Sequence, residues 1–372
     1  MTFIKKLLDI LNMNNWEKRA IVSSSTSNFP TVQSFHNSYE AILTFWRKHP
    51  QIYQNDFTNK ESTQKEYLLY GKTLILWDYD KARPLLKSFP YYFTSECNIS
   101  DPLKLQTILI KQGYLTIAPA KSVLFSYTVA KLKIIADSIG CSKKGKKSEL
   151  VDRIYSSLDD SALETISLQS NLYILSDKGN NFIHDNYDYV ELHRHWKYRI
   201  SLYEYNRNRF CGNKRRSFND AAYVILTERI YKKTALFNYY FLDQDYMSLY
   251  DITFSEGRYD IAIEYYLQYL YLKSCCYHEM IYFQPGIHIS KDSVSHIIIF
   301  TVYDAPRVLD LKDYYNPALV DNIYSRPNQP PSFMEINIFK HMIEEMFTEV
   351  IFDYEKYNSL IRKELEKYAA IL

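Results

Sequence analysis

Four lysines, Lys143, Lys144, Lys146 and Lys147, crowd around Gly145 just ahead of an apolar helical run. A helix N-terminus already presents unpaired N–H groups and a partial positive charge. Four ammonium groups there repel one another and the helix dipole, a cost that a bound phosphate removes. Gly145, having no side chain, lets the backbone come close to such a phosphate. Lys131, Lys133 and Arg153 extend the charge, and from Tyr127 to Ile154 seven bases stand against three acids, a net of +4. The expected chemistry is phosphate positioning, with strong salt dependence and little reading of bases. A solvated lysine-rich turn on a structural helix pair is the competing explanation.

A second basic stretch runs from Arg194 to Arg216, eight Lys or Arg against Glu204 alone. In it Arg194, Lys197, Arg207, Arg209, Lys214, Arg215 and Arg216 interleave with Trp196, Tyr198, Tyr203, Tyr205 and Phe210. Such a mixture can follow a nucleic-acid backbone and stack bases. The spacing of Trp196, Ile200, Tyr203 and Asn206 equally fits an amphipathic helix with a solvated basic face, and that reading is preferred.

Catalytic patterns are sparse. With 8 Gly in the chain there is no Gly-x-Gly-x-x-Gly or Walker loop, and neither His-Glu-x-x-His nor Cys-x-x-Cys occurs. His193 and His195 near Asp188 and Glu191, and Asp304, Asp310 and Asp313 near Lys312, leave a metal-dependent nuclease component as the catalytic alternative, without constrained spacing. Cys97, Cys141, Cys211, Cys275 and Cys276 are odd in number and irregular, so they read as ordinary thiols. Cys275, Cys276 and His278 lack a fourth ligand for a tetrahedral metal. The chain is therefore expected to be non-enzymatic, with no cofactor and no metal.

The lysines need two helices to hold them. Thr128 suits an N-cap, Val129, Leu132, Ile135 and Ile139 fall on one face, and Gly140 suits a left-handed helix end. Ser142–Gly145 connects, and Leu150, Val151 and Ile154 form a second apolar face. Helices this short need neighbouring elements to bury enough surface. Thr128, Leu132–Lys133, Gly140, Gly145–Lys146–Lys147, Glu149–Leu150 and Arg153 together resemble a SAP domain, a two-helix DNA-binding module. The resemblance implies DNA binding, often at AT-rich duplex, as an accessory to another activity.

On the upstream side, Asp101 suits the cap of a helix with Pro102 in its first turn, burying Leu103, Leu105, Ile108 and Leu109 and ending at Gly113. Downstream, Leu158–Leu168 keeps helical character, Leu172–Leu175 reads as a strand, and Asp177–Gly179 reads as a turn before a helix through Phe182 and Ile183. The Tyr173–Gly179 stretch, YILSDKG, resembles the wing hairpin of winged-helix proteins, with the Gly113–Tyr114–Leu115 helix as its partner. Residues 101–200 are similar to uncharacterised SAP-containing proteins of Gram-positive bacteria and their phages, which implies a mobile-element or phage setting.

The rest of the chain supplies scaffolding. A helix is expected at 35–46, 67–77 is a dense apolar stretch, an extended piece is expected at Tyr91–Phe93, and core anchors at Trp16, Trp46 and Trp77. Phe210–Ser217 reads as a loop, and Asn219 or Asp220 as the cap of the helix that follows. Leu249–Leu272 resembles one tetratricopeptide hairpin, with Gly257 at the turn and Ala262 at the crossing; Tyr259, Tyr265 and Tyr266 are its protein-binding candidates. Ile287–Val302 reads as a buried strand or helix. An amphipathic helix from Ser332 to Tyr368, interrupted near Asp353, closes the chain.

The 36 Tyr fit an AT-rich coding bias better than a function, and a net charge of +2 says nothing about partners. No stretch approaches a membrane span and the N-terminus lacks a signal-peptide pattern, so a cytoplasmic protein is expected. The expected fold class is mainly α and multi-domain: a helical region 1–98, a winged-helix-like region 99–190 carrying the two-helix module 127–158, a helical region 191–284, and a mixed C-terminal region 285–372. The leading expectation is a DNA-binding accessory or regulatory protein with duplex DNA as partner. A protein-binding adaptor, such as a phage-encoded inhibitor of a host factor acting through the 191–284 region, is the main alternative.

Overall fold

The computed structural model describes residues 61–276, 298–301, 308–348 and 352–369, together with Lys48 and Val294. The fold is mainly α-helical, with little sheet among these residues. Packing divides the chain into two units: Asn55–Arg229, and Met1–Gln54 with Ile230–Leu372. The sequence had suggested four segments with breaks after 98, 190 and 284.

The Asn55–Arg229 unit begins with α1 (Gln64–Trp77). Thr63 and Glu66 form a reciprocal cap: the Glu66 N–H donates to the Thr63 hydroxyl at 3.3 Å, and the Thr63 N–H donates to the Glu66 carboxylate at 2.6 Å. Tyr70, Leu74, Ile75 and Leu76 of this helix are buried. After β1 (Arg83–Pro84), residues 92–95 form a short helix α2 (Tyr92–Ser95), not the expected extended piece. Pro90 lies outside this turn, and its carbonyl accepts from the Phe93 N–H, so the proline opens the helix without breaking it.

Helix α3 (Pro102–Lys111) is capped as expected, the Asp101 carboxylate accepting from the Lys104 N–H at 2.9 Å. Its buried face is Leu105, Gln106 and Leu109, while Leu103 and Ile108 are exposed, correcting the expected four-leucine/isoleucine face. The inward face is narrower because Gln106 itself turns in, its amide oxygen accepting from the Tyr79 hydroxyl at 2.6 Å.

Strand β2 (Leu115–Ile117) follows, and its antiparallel partner β3 (Leu172–Leu175) comes only after an excursion of four helices. These are α4 (Ala120–Ser126), α5 (Val129–Ser138), α6 (Lys147–Ser157) and α7 (Asp160–Gln169). The register pairs Leu115 with Leu175 and Ile117 with Tyr173, and β1 pairs with the other edge of β3. At the mouth of the excursion the Ala118 N–H donates to the Leu172 carbonyl at 2.8 Å, and the Ser167 hydroxyl donates to the Ala118 carbonyl at 2.7 Å.

The expected turn at Asp177–Gly179 is instead the first turn of α8 (Asp177–Arg194). Ser176 causes this: its hydroxyl accepts from the Gly179 N–H at 3.1 Å and donates to the Gly113 carbonyl at 2.7 Å. Strand β3 therefore runs straight into a helix, and no wing hairpin forms from Tyr173–Gly179. Helix α8 kinks at Asn186 (φ −131°), whose side-chain amide donates to the Phe182 carbonyl. The amphipathic helix expected through Trp196 and Asn206 is broken by Arg199 at φ +54°; a 3-10 turn (Trp196–Tyr198) precedes the break and α9 (Leu202–Asn208) follows it. The expected loop after it is a hairpin, β4 (Phe210–Cys211) with β5 (Lys214–Arg215), closed by Gly212–Asn213. Ser217, not Asn219 or Asp220, caps α10 (Phe218–Ala235), its hydroxyl accepting from the Asp220 N–H.

In the second unit, α11 (Leu242–Ser255) and α12 (Tyr259–Ser274) form the expected helical hairpin, turning at Gly257. Tyr250, Ala262, Ile263, Tyr266 and Leu270 lie in one core with residues of α13 (Pro317–Tyr324) and α14 (Ile336–Thr348). The last helix, α15 (Tyr354–Ala369), begins after Asp353, whose carboxylate accepts from the Glu355 and Lys356 N–H groups; the expected interruption is a new N-cap. Residues 298–301 hold no strand, and the Asn358 side chain accepts from the Ile299 and Phe300 N–H groups in its place. The expected helix at 35–46 and core roles for Trp16 and Trp46 lie outside the described residues.

Candidate nucleic-acid interface

Helices α5 and α6 do form a pair, and α4 completes it. Leu132, Ala136, Val151 and Ile154 are buried against Leu124 of α4, with Ile135, Ile139 and Leu158 packed around them. Leu150 is buried as expected, but Val129 is exposed: it sits at the first position of α5, and Ala136 takes its place in the core. Thr128 caps α5, accepting from the Lys131 N–H at 3.3 Å. Gly140 (φ +71°) ends it in a Schellman arrangement, with the Cys141 N–H on the Ala136 carbonyl at 2.7 Å and the Gly140 N–H on the Asp137 carbonyl at 3.1 Å.

The loop that carries the lysines is tied from below by α6. The Glu149 carboxylate accepts from the Lys146 N–H at 3.1 Å. Gly145 lies at φ +115°, and a Cβ built on it would stand 2.3 Å from the same carboxylate. The side of Gly145 that a Cβ would occupy is thus filled by Glu149. Arg153 is also redirected: its guanidinium donates to the Lys144 carbonyl at 3.0 Å and to the Ser142 carbonyl.

The remaining cations fall into two groups. Lys143 pairs with Asp137 at 2.8 Å, and the Lys131 ammonium sits 3.5 Å from the Tyr127 ring centroid. Outside the expected set, Lys121 of α4 pairs with Asp152 of α6 at 2.8 Å, which pushes the lysine pKa up. Lys133, Lys144, Lys146 and Lys147 have no ion-pair partner among the described residues. Three of these four stand at the start of α6, where the Lys147 and Ser148 N–H groups have no hydrogen-bond acceptor among the described residues. Helix amides and ammonium groups left open together are the chemistry that an anion can satisfy.

The second basic stretch is largely consumed inside its own unit. Arg209 is buried and donates through Nε and Nη2 to Asp188, at 2.5 and 2.9 Å, and through Nη1 to the Tyr189 hydroxyl at 3.0 Å. Arg215 donates through Nη2 to Asp188 Oδ1, the oxygen that also accepts from Arg209 Nη2, and the Tyr205 hydroxyl donates to Asp188 Oδ2 at 2.8 Å. Arg216 donates to the Asn208 and Phe210 carbonyls. Arg194 pairs with Glu191 and stacks on Trp77, and Arg207 donates to the Tyr203 hydroxyl. Lys197 and Lys214 are exposed. The stretch is therefore mostly a set of braces, because Asp188, Tyr189 and the kinked Asn186 face it from α8.

No group of three or more His, Cys, Asp or Glu able to hold a metal occurs among the described residues. His193 Nδ1 faces Glu96 at 3.2 Å beside Tyr92, while His195 Nδ1 meets the Glu191 carbonyl and its ring stacks on Phe218. Sequence gave no signal for the Glu96–His193 contact, whose members lie 97 residues apart. Asp310 and Asp313 are exposed on a 3-10 turn; Asp304 and His278 lie outside the described residues. Cys97, Cys275 and Cys276 are buried, and burial pushes the thiols of Cys97 and Cys275 up. Of the hairpin tyrosines, Tyr266 is core, Tyr265 packs on Tyr246, and Tyr259 packs on Phe254 and Tyr314. No helix among the described residues is long and apolar enough to cross a membrane. No protein-family model, no curated protein and no solved structure matches the chain.

Proposed function

We propose that the chain is a non-enzymatic DNA-binding accessory or regulatory protein that holds duplex phosphates through the SAP-like module. The observation that carries this reading is the start of α6: among the described residues, Lys144, Lys146 and Lys147 have no ion-pair partner and the two helix amides beside them have no acceptor. Folding alone gains nothing from that arrangement, whereas a phosphate would satisfy both the charge and the amides. The contacts are to phosphate, so they confer affinity and not sequence choice. The surrounding unit supports a winged-helix-like reading only in α3, β2 and β3, since a helix follows β3 where a wing strand would lie.

A titration of the purified chain against labelled duplex at low and moderate salt tests the reading. Binding that weakens steeply with salt is expected. Absence of binding to duplex at low salt sinks it.

A further inference from the structure

Glu149 and Arg153 stand four residues apart on α6, on one helical face. Between them they engage the backbone of the lysine loop on both sides of Gly145. Arg153 takes the Ser142 and Lys144 carbonyls, and Glu149 takes the Lys146 N–H. Each residue of the pair spends its charged group on the loop backbone. Both bonds leave the Nη1 nitrogen, which lies one bond further from the backbone than a lysine ammonium and is held in a rigid plane, so a lysine at 153 does not meet the two carbonyls in the same geometry.

We infer that Arg153 and Glu149 form a clasp that preorganises the Ser142–Lys146 loop, and that both are positioning residues and not phosphate contacts. The inference deepens the DNA-binding reading and rests on it for its consequence in affinity. The clasp itself is a statement about the loop, testable without DNA. Four of the six residues from Ser142 to Lys147 are lysines, so trypsin reports directly on whether the loop opens. A loop held at three backbone groups fits a protease site poorly, and one released on one side fits it well.

The test compares the full chain with Arg153→Ala, Arg153→Lys and Glu149→Gln. In limited trypsin digestion, both Arg153 variants are expected to be cut between Ser142 and Lys147 earlier than the parent, with an unchanged thermal midpoint excluding general unfolding. In duplex titrations, Arg153→Ala is expected to bind on the order of tenfold more weakly, the effect of ordering about one more backbone residue on binding. Its salt slope should stay that of the parent, and Arg153→Lys should fail to restore affinity. Glu149→Gln keeps an acceptor oxygen and is expected to fall between parent and Arg153→Ala.

A fall of about 0.9 in the magnitude of the salt slope for Arg153→Ala, with rescue by Arg153→Lys, makes Arg153 a phosphate contact and overturns the inference. Unchanged tryptic cutting in both Arg153 variants overturns it as well. If the parent chain binds no duplex, the function reading fails and the digestion still decides the clasp.

Discussion

Replacing Lys146 and Lys147 together by Ala removes two of the four ammonium groups of the module that lack an ion-pair partner among the described residues. Each neutralised phosphate contributes about 0.9 to the slope of log K against log salt, so four contacts give a slope of about −3.6. Between 50 and 200 mM salt the parent chain should then lose about 150-fold in affinity. The double variant should show a slope of about −1.8 and lose about 12-fold over the same range. At 0.1 M salt it should bind about 60-fold more weakly, because each contact is worth about 10 to the power 0.9 there. Had all seven bases of the module been engaged, the slope would be about −6.3 and the loss about 6000-fold. Fluorescence anisotropy of a short labelled duplex across a salt series separates these cases. The exposed position of Lys146 and the half-exposed position of Lys147 mean that stability should change by no more than about 0.5 kcal/mol. A double variant with the parent slope refutes the assignment of these lysines, and a parent slope near −6 refutes the claim that ion pairing and ring stacking hold Lys143 and Lys131 back.

Other consequences follow from the braces and the core. Asp188→Ala leaves the buried Arg209 without its carboxylate and should cost about 3–5 kcal/mol in thermal or denaturant unfolding; a loss below 1 kcal/mol would show that the arginines re-pair elsewhere. Gly140→Ala meets no neighbour within 4 Å but must hold φ +71°, so it should destabilise by about 1–2 kcal/mol through backbone strain alone. Burial pushes the hydroxyls of Tyr239, Tyr271 and Tyr324 well above the ordinary 10 and that of Tyr315 up to about 12. A folded pKa above the unfolded one contributes stability that is complete below pH 10 and is lost as pH rises beyond it. Absorbance of tyrosinate near 295 nm should therefore rise gradually for exposed phenols and then in one step with loss of helix; a smooth titration with no step would contradict the burial.

The sequence made visible what is local. Thr128, Gly140 and Asp101 each act on backbone groups a few residues away, so their roles were legible from type and position. The apolar face of α6 was legible for the same reason. What failed was decided at a distance. The Tyr173–Gly179 stretch has turn residues, but Ser176 is claimed by the Gly113 carbonyl 63 residues earlier, and a helix starts there. Arg209, Arg215 and Arg216 look like a binding surface in one dimension, and only the fold brings Asp188 and the loop carbonyls to them. Arg153 shows the same limit within 11 residues: its charge could be read, its target could not.

The four-helix excursion leaves β2 and returns to β3 with its two ends joined, Ala118 to Leu172 and Ser167 to Ala118. Entry and exit are therefore neighbours on one antiparallel ladder, a geometry that a short hairpin turn could close equally well. The lysine-bearing helices leave and rejoin the sheet through these two neighbouring strands. Replacing 119–171 by a turn should therefore give a matched protein that keeps the sheet and lacks the basic end.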